Sequence, residues 1–172
     1  MGSSARTSLI PARILFSVVW SLLCLSVLAA PFLSARACEP AATFLYFFFS
    51  PVCHQIPERS FHLGGHTWAV CHRCAGIYFG LLLAAVMGNP FIGRRPANRR
   101  RWVLAAGTLL LLDAFLPYTG LWHSTALSRF LSGLPFGYVA SSLLVLGVTE
   151  WMRETPWRRL PVHDPDLKGG LS

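Results

Sequence analysis

The 172-residue chain is short of charge. Only 13% of its residues are charged, 53% are hydrophobic, and the mean hydropathy is +0.50. A soluble domain carries about a quarter charged residues, so an ordinary soluble globular protein is excluded. Disorder is excluded too, because disordered chains lack apolar side chains. Acidic residues are scarce, 7 against 15 basic. The resulting charge of +8 would point to nucleic acid in a soluble protein. Here the arginines flank apolar runs, where they orient a membrane protein, and no nucleic-acid partner is expected. Lysine is nearly missing, Lys168 being the only one. There is no glycine-rich phosphate loop with lysine, no nucleophile elbow and no His-Glu-x-x-His helix. Those absences exclude the best-marked nucleotidases, α/β-hydrolases and zinc peptidases. No internal repeat suggests an inverted-repeat transporter.

What the chain has is long apolar runs. Four predicted spans cover about 14–35, 68–87, 102–117 and 130–151, each near the ~20 residues a helix needs to cross a bilayer. The expected fold is all-α: an integral membrane helical bundle of about four transmembrane helices in a single domain, 14–152. A short N-terminus (1–13) and a polar tail (153–172) flank it. The first run competes with a signal peptide, since Ala35-Arg36-Ala37 resembles a small-x-small cleavage site. A signal core is about 7–15 apolar residues, and this run is longer, so a retained span is expected. Phe44–Phe49 is too short to span and is expected at the interface or in a bent helix. Gly64-Gly65 marks a turn. Gly76, Gly80 and Gly88 recur along the second span, where small residues let helices approach closely. Asn89–Arg101 reads as a polar connector.

Arginine counting sets the topology. Arg6, Arg13, Arg94, Arg95, Arg99, Arg100, Arg101, Arg153, Arg158, Arg159 and Lys168 fall on one side, eleven charges; Arg36, Arg59, Arg73 and Arg129 are the four on the other. The richer side is cytoplasmic by the positive-inside rule. The protein is then expected in the cytoplasmic (inner) membrane with both termini in the cytoplasm, and the loop between the first two spans faces outward. Trp68, Trp102, Trp122 and Trp151 sit near span ends, as interfacial aromatics do.

That outward segment holds most of the reactive side chains: Cys53-His54-Gln55, then Glu58-Arg59-Ser60-Phe61, then Cys71-His72-Arg73-Cys74-Ala75-Gly76-Ile77-Tyr78. The pattern resembles the domain of unknown function 2085 family of small prokaryotic multi-pass membrane proteins. Cys53, His54, Gln55, Glu58, Arg59, Ser60, Phe61, Cys71, Arg73, Cys74, Gly76, Ile77, Tyr78 and Gly80 fill that family's signature. Asp113, Arg129, Gly133 and Gly137 match further on, and the resemblance covers roughly residues 45–145. Where the family carries a Glu-Ser pair before the arginine, this chain has Ser124-Thr125. The resemblance implies a helical membrane fold and no particular activity.

The residues themselves suggest three functions. Cys-x-x-Cys brings two sulfurs together, and Cys53 with His54 supplies a second ligand pair. Cys53, His54, Cys71 and Cys74 would make a Cys3His set, for which zinc is the default and other soft transition metals are candidates. His62, His66 and His72 are alternative ligands, His62 and His66 sharing a face if that stretch is helical. The second reading is a membrane thiol–disulfide oxidoreductase using Cys71 and Cys74, with Cys53 or a Cys38–Cys53 pair as a further thiol partner and a quinone as electron acceptor. The third is a structural or partner-binding subunit without chemistry. Cys24 reads as packing. Gln55, Glu58, Arg59, Ser60, Arg73, Asp113 and Arg129 are the supporting polar and charged residues. Glu58 and Arg59 are expected to form a loop salt bridge. Arg73 should favour thiolates at its neighbouring cysteines. Asp113, costly inside a span, should face the bundle and pair with Arg73 or Arg129. The bilayer is the one partner implied; the sequence leaves oligomers open.

Overall fold

A computed structural model describes residues 10–88, 91, 96–120 and 122–154. It is mostly helical: α1 (Ile10–Ala35), α2 (Glu39–Phe49), α3 (His72–Met87), α4 (Pro96–Phe115) and α5 (Ala126–Glu154). A hairpin of β1 (Ser60–Leu63) and β2 (His66–Cys71) interrupts them. Three helices, α1, α4 and α5, are long and apolar enough to cross a membrane; α3 is apolar but has only 16 residues. At about 1.5 Å per residue it spans about 24 Å, less than the roughly 30 Å hydrocarbon core.

The helix expected as the second span starts later than the sequence suggested. Residues 66–71 are a strand, and helix begins at His72 rather than Trp68. Thr67, Trp68 and Val70 favour extended backbone. The Gly64-Gly65 turn has φ of +58° and +81°, a conformation open to glycine and suited to a tight hairpin. The strands pair antiparallel, Ser60 opposite Cys71 and Leu63 opposite His66. His62 and His66 thus flank a hairpin turn and share no helical face. The polar connector is also shorter than expected. Helix resumes at Pro96, a residue suited to the first helical turn, and takes in Arg99, Arg100 and Arg101. Arg94 and Arg95 lie outside the described residues, as do the N-terminal nine and the tail from residue 155.

The aromatic run Phe44–Phe49 belongs to α2, which doubles back beside α1. Ala37 closes α1 with φ +54°. Cys38 N–H donates to Leu33 O and Ala37 N–H to Ser34 O, the paired bonds of a Schellman turn. α5 starts at Ala126, four residues before the expected Phe130. Thr125 and Ser128 cap it reciprocally: Ser128 N–H donates to Thr125 Oγ1 at 3.1 Å, and Thr125 N–H to Ser128 Oγ at 3.0 Å. Two orphan donors of the helix end are satisfied that way.

Glycines set the tightest helix pair. A methyl at Gly76 would run into Phe130 O, and one at Gly80 into Leu134 O. From the other side, Gly133 sits on Arg73 O and Gly137 on Ile77 O. Two Gly-x-x-x-Gly stripes thus interlock, which is how helices gain packing energy in lipid. Gly137→Ala should lower unfolding stability in detergent by about 1–3 kcal/mol, since overpacking forces the backbones apart. Gly107→Ala is the matched control: nothing lies within 4 Å of its added methyl, and its melting midpoint should not fall.

Hydrogen bonds order the ends of the bundle. Arg13 on α1 reaches Val86 O at the end of α3 (2.8 Å). Arg73, at the start of α3, reaches Asp113 near the end of α4. Arg99–Arg101 stand twelve to fourteen residues back along α4, about 18–21 Å away. The arginine-rich end and the cysteine end are therefore opposite. Outward faces stay apolar: Leu15, Leu22 and Phe32 on α1, Leu104, Leu111 and Phe115 on α4, and Phe44 and Phe47 on α2 are all exposed. A continuous apolar surface of this kind marks contact with lipid.

Candidate metal centre

The core nearest the hairpin packs Val27 and Ala30 of α1, Phe49 of α2, Ala69 and Val70 of β2 and Ala75 of α3 around Cys53. Cys71 and Cys74 pack against the same cluster. Cys53 follows α2, where its N–H donates to Phe49 O at 3.0 Å. Two residues on, Gln55 adopts φ +51°. Its side-chain amide donates to Tyr46 O (2.7 Å) and Ala69 O (2.9 Å), tying the Cys53 loop to α2 and β2. Cys71 ends β2 and occupies the N-cap position of α3, and Cys74 lies in the first turn. A strand–helix junction thus presents both sulfurs to the buried Cys53.

The three Sγ atoms lie within 4.8 Å of one another. A tetrahedral ion with Zn–S of about 2.3 Å needs sulfurs roughly 3.8 Å apart, a separation within that limit. No disulfide links any of the five cysteines. The Cys71 N–H donates to Cys53 Sγ at 3.2 Å, a bond that favours a charged sulfur. Hydrogen bonds from the Cys53 and Cys74 thiols hold the Cys71 thiol far below its ordinary range, helped by the amides of Cys74 and Arg73. Cys53 is pushed up, first because its own thiol proton is engaged by Cys71.

The fourth expected ligand is elsewhere. His54 is exposed and stands outside the three-sulfur group. His62 is exposed on the hairpin. His72 is buried edge-on against Phe61, with its Nδ1 unpartnered. Cys38 is exposed at the start of α2, and Cys24 is buried in α1; neither joins the group. Ser60 is buried and donates to Ile56 O. Glu58 and Arg59 are exposed and make no salt bridge with each other, because a three-residue 3-10 turn, Pro57–Arg59, directs consecutive side chains apart.

Arg73 is the one of the two expected arginines that reaches Asp113. Its guanidinium pairs with Asp113 Oδ2 at 2.6 Å, the one ion pair among the described residues. Asp113 is 8% exposed. Its Oδ1 accepts from Ser124 (3.2 Å) and Ser128 (3.1 Å), and Oδ2 also accepts from Ser132 (3.1 Å). Arg129 donates to Ser124 Oγ (2.9 Å) instead of to the carboxylate. The carboxylate is nearly saturated, as a buried charge must be. Sequence reasoning singled out neither Ser128 nor Ser132. Their signal was present in the four-residue spacing of Ser128 and Ser132, which places them on one face of α5, with Ser124 just ahead of its first turn.

These features define a multi-pass helical membrane protein with three thiols converging on one point. The chain belongs to the domain of unknown function 2085 family, described as a predicted membrane protein, which it matches over residues 53–143. That stretch contains all three cysteines, Arg73, Asp113 and Arg129. An uncharacterised protein of Methanocaldococcus jannaschii is 36% identical over 97 residues, 55% of this chain and 62% of that protein. An uncharacterised protein of Methanothermobacter thermautotrophicus is 33% identical over 89 residues, 52% of this chain and 80% of that protein. No solved structure matches the chain.

Proposed function

We propose that this is a metal-binding protein of the cytoplasmic membrane, with Cys53, Cys71 and Cys74 as protein ligands near the outer interface. The observation that supports it is the convergence of three sulfurs from separate elements within 4.8 Å, one of them accepting a backbone N–H. Thiolates suit zinc and other soft transition metals. Four crossings are part of the proposal, with α3 as the short fourth one and both termini cytoplasmic. The separation of the Arg13 and Arg99–Arg101 end from the cysteine end supports that orientation under the positive-inside rule. α1 is proposed as a retained span within the single domain, because Val27 and Ala30 wall the core around Cys53.

Three protein sulfurs leave a fourth position for water, substrate or a second protein. An open position favours chemistry or metal transfer over a closed structural role. Metal content by mass spectrometry on detergent-purified protein, with free thiols counted in parallel, tests the reading. Wild type and His54→Ala should carry about one metal per chain, and Cys71→Ser and Cys74→Ser should lose it. A metal-free wild type holding a reducible Cys71–Cys74 disulfide would overturn the proposal in favour of thiol redox chemistry. No metal and no disulfide would leave a scaffold or partner-binding subunit.

A further inference from the structure

Beside the cysteines lies a polar cavity. It encloses about 320 Å³ and is lined by Arg59, Arg73, Arg129, Asp113, Ser124 and Tyr118 among others. The arginines come from three segments: the 3-10 turn before β1, the first turn of α3 and the first turn of α5. Only Arg73 has a carboxylate partner. Three guanidinium groups thus face one carboxylate, and among the described residues Arg59 and Arg129 make no ion pair; the Cys71 sulfur is the other negative group that bears on Arg129. Arg73 Nε is buried and has no hydrogen-bond partner, and Arg129 spends its Nε on Ser124, leaving its terminal nitrogens for another acceptor. Like charges converging at a membrane interface are unfavourable unless an anion joins them.

The floor of this cavity is shared. Asp113 also borders an apolar groove of about 360 Å³ between α4 and α5, formed by Leu109, Leu112, Leu116, Trp122 and Leu131. A cationic pocket and an apolar groove thus adjoin at Asp113. We propose that Arg59, Arg73 and Arg129 form a phosphate-binding site, and that its occupant is the headgroup of an anionic phospholipid whose acyl chain lies in the α4–α5 groove. Planar guanidinium forks match phosphate oxygens in bidentate fashion. Asp113 keeps Arg73 oriented while leaving the cavity net positive. The site uses none of the three sulfurs and stands independently of the metal reading.

Calorimetry on the full-length protein in an uncharged detergent tests it, with three probes: inorganic phosphate, dihexanoyl phosphatidylglycerol and dihexanoyl phosphatidylcholine. Phosphatidylglycerol should bind more tightly than either of the others, and more weakly as salt rises. Arg59→Gln and Arg129→Gln should each weaken it about tenfold, while Leu131→Trp, filling the groove, should weaken the lipid and spare phosphate. Equal affinity for phosphate and phosphatidylglycerol would keep the phosphate site and overturn its lipid occupant. Equal affinity for the two lipids, or binding indifferent to both arginine substitutions, would overturn the site itself. Arg59 is exposed, so an unchanged melting midpoint in Arg59→Gln separates lost binding from lost fold.

Discussion

Asp113→Ala should be among the most damaging single substitutions in this chain, lowering unfolding stability in detergent by about 3–5 kcal/mol. Removing the carboxylate strands Arg73, whose side chain is 26% exposed, and deprives Ser124, Ser128 and Ser132 of their common acceptor. Those three serines join the α5 end to α4, and Arg73 joins α3 to it, so one side chain links three helices. Asp113→Asn should fall between, because an amide oxygen still accepts from a serine but carries no charge for Arg73. The double variant Asp113→Leu/Arg73→Met should recover much of the loss, since replacing both partners leaves no buried charge unpaired. Denaturant or thermal unfolding of the four proteins checks the order. An alanine variant as stable as wild type would mean that water reaches the cluster and screens it.

Acid should strip the metal steeply. Thiols bind metals as thiolates, so every proton carried by the metal-free site must leave on binding. Cys71 is held below the ordinary thiol range, and Cys53 is held above it. At neutral pH the metal-free site then holds one thiolate and two thiols. Binding displaces about two protons, and apparent affinity falls about 100-fold for each pH unit below neutrality. The dependence flattens at alkaline pH, once the two remaining thiols ionise unaided. Competition against a chelator of known proton affinity, between pH 6 and 8, reads the slope directly. A slope near three would show that Cys71 is protonated before binding, and a flat profile would remove thiolate ligation altogether.

Much of this architecture was legible in one dimension because the bilayer imposes simple rules. Long apolar runs become helices when no water is available to satisfy the backbone, so α1, α4 and α5 could be read from composition. The hairpin could not. Residues 68–71 are apolar and lead directly into the helix that follows, and a short apolar run does not reveal whether it is strand or helix. Pairing with Ser60–Leu63 decided it, with the Gly64-Gly65 turn and the extended preference of Thr67, Trp68 and Val70 as the local signs. The helical start at Pro96 was masked by arginines, which mark a loop in a membrane protein yet are good helix formers.

The site divides in the same way. Cys-x-x-Cys is a local signal, because four residues of any compact backbone hold two sulfurs close. That Cys53 would join them depends on a core containing parts of α1, α2, β2 and α3. That His54 would not join follows from the Gln55 clamp, which fixes the loop with Cys53 inward and its neighbour outward. The choice of Arg73 over Arg129 as the partner of Asp113 was likewise tertiary: Arg73 reaches the carboxylate from α3, while Arg129 donates to Ser124. By itself the sequence determined the solvent, the long helices, the reactive segment and the need for Asp113 to find a cation, all consequences of composition and local spacing. Only the tertiary structure decided which sulfurs meet, which arginine is neutralised and which two are left to face a cavity. Those outcomes depend on distances between segments far apart in the chain, and no local pattern encodes them.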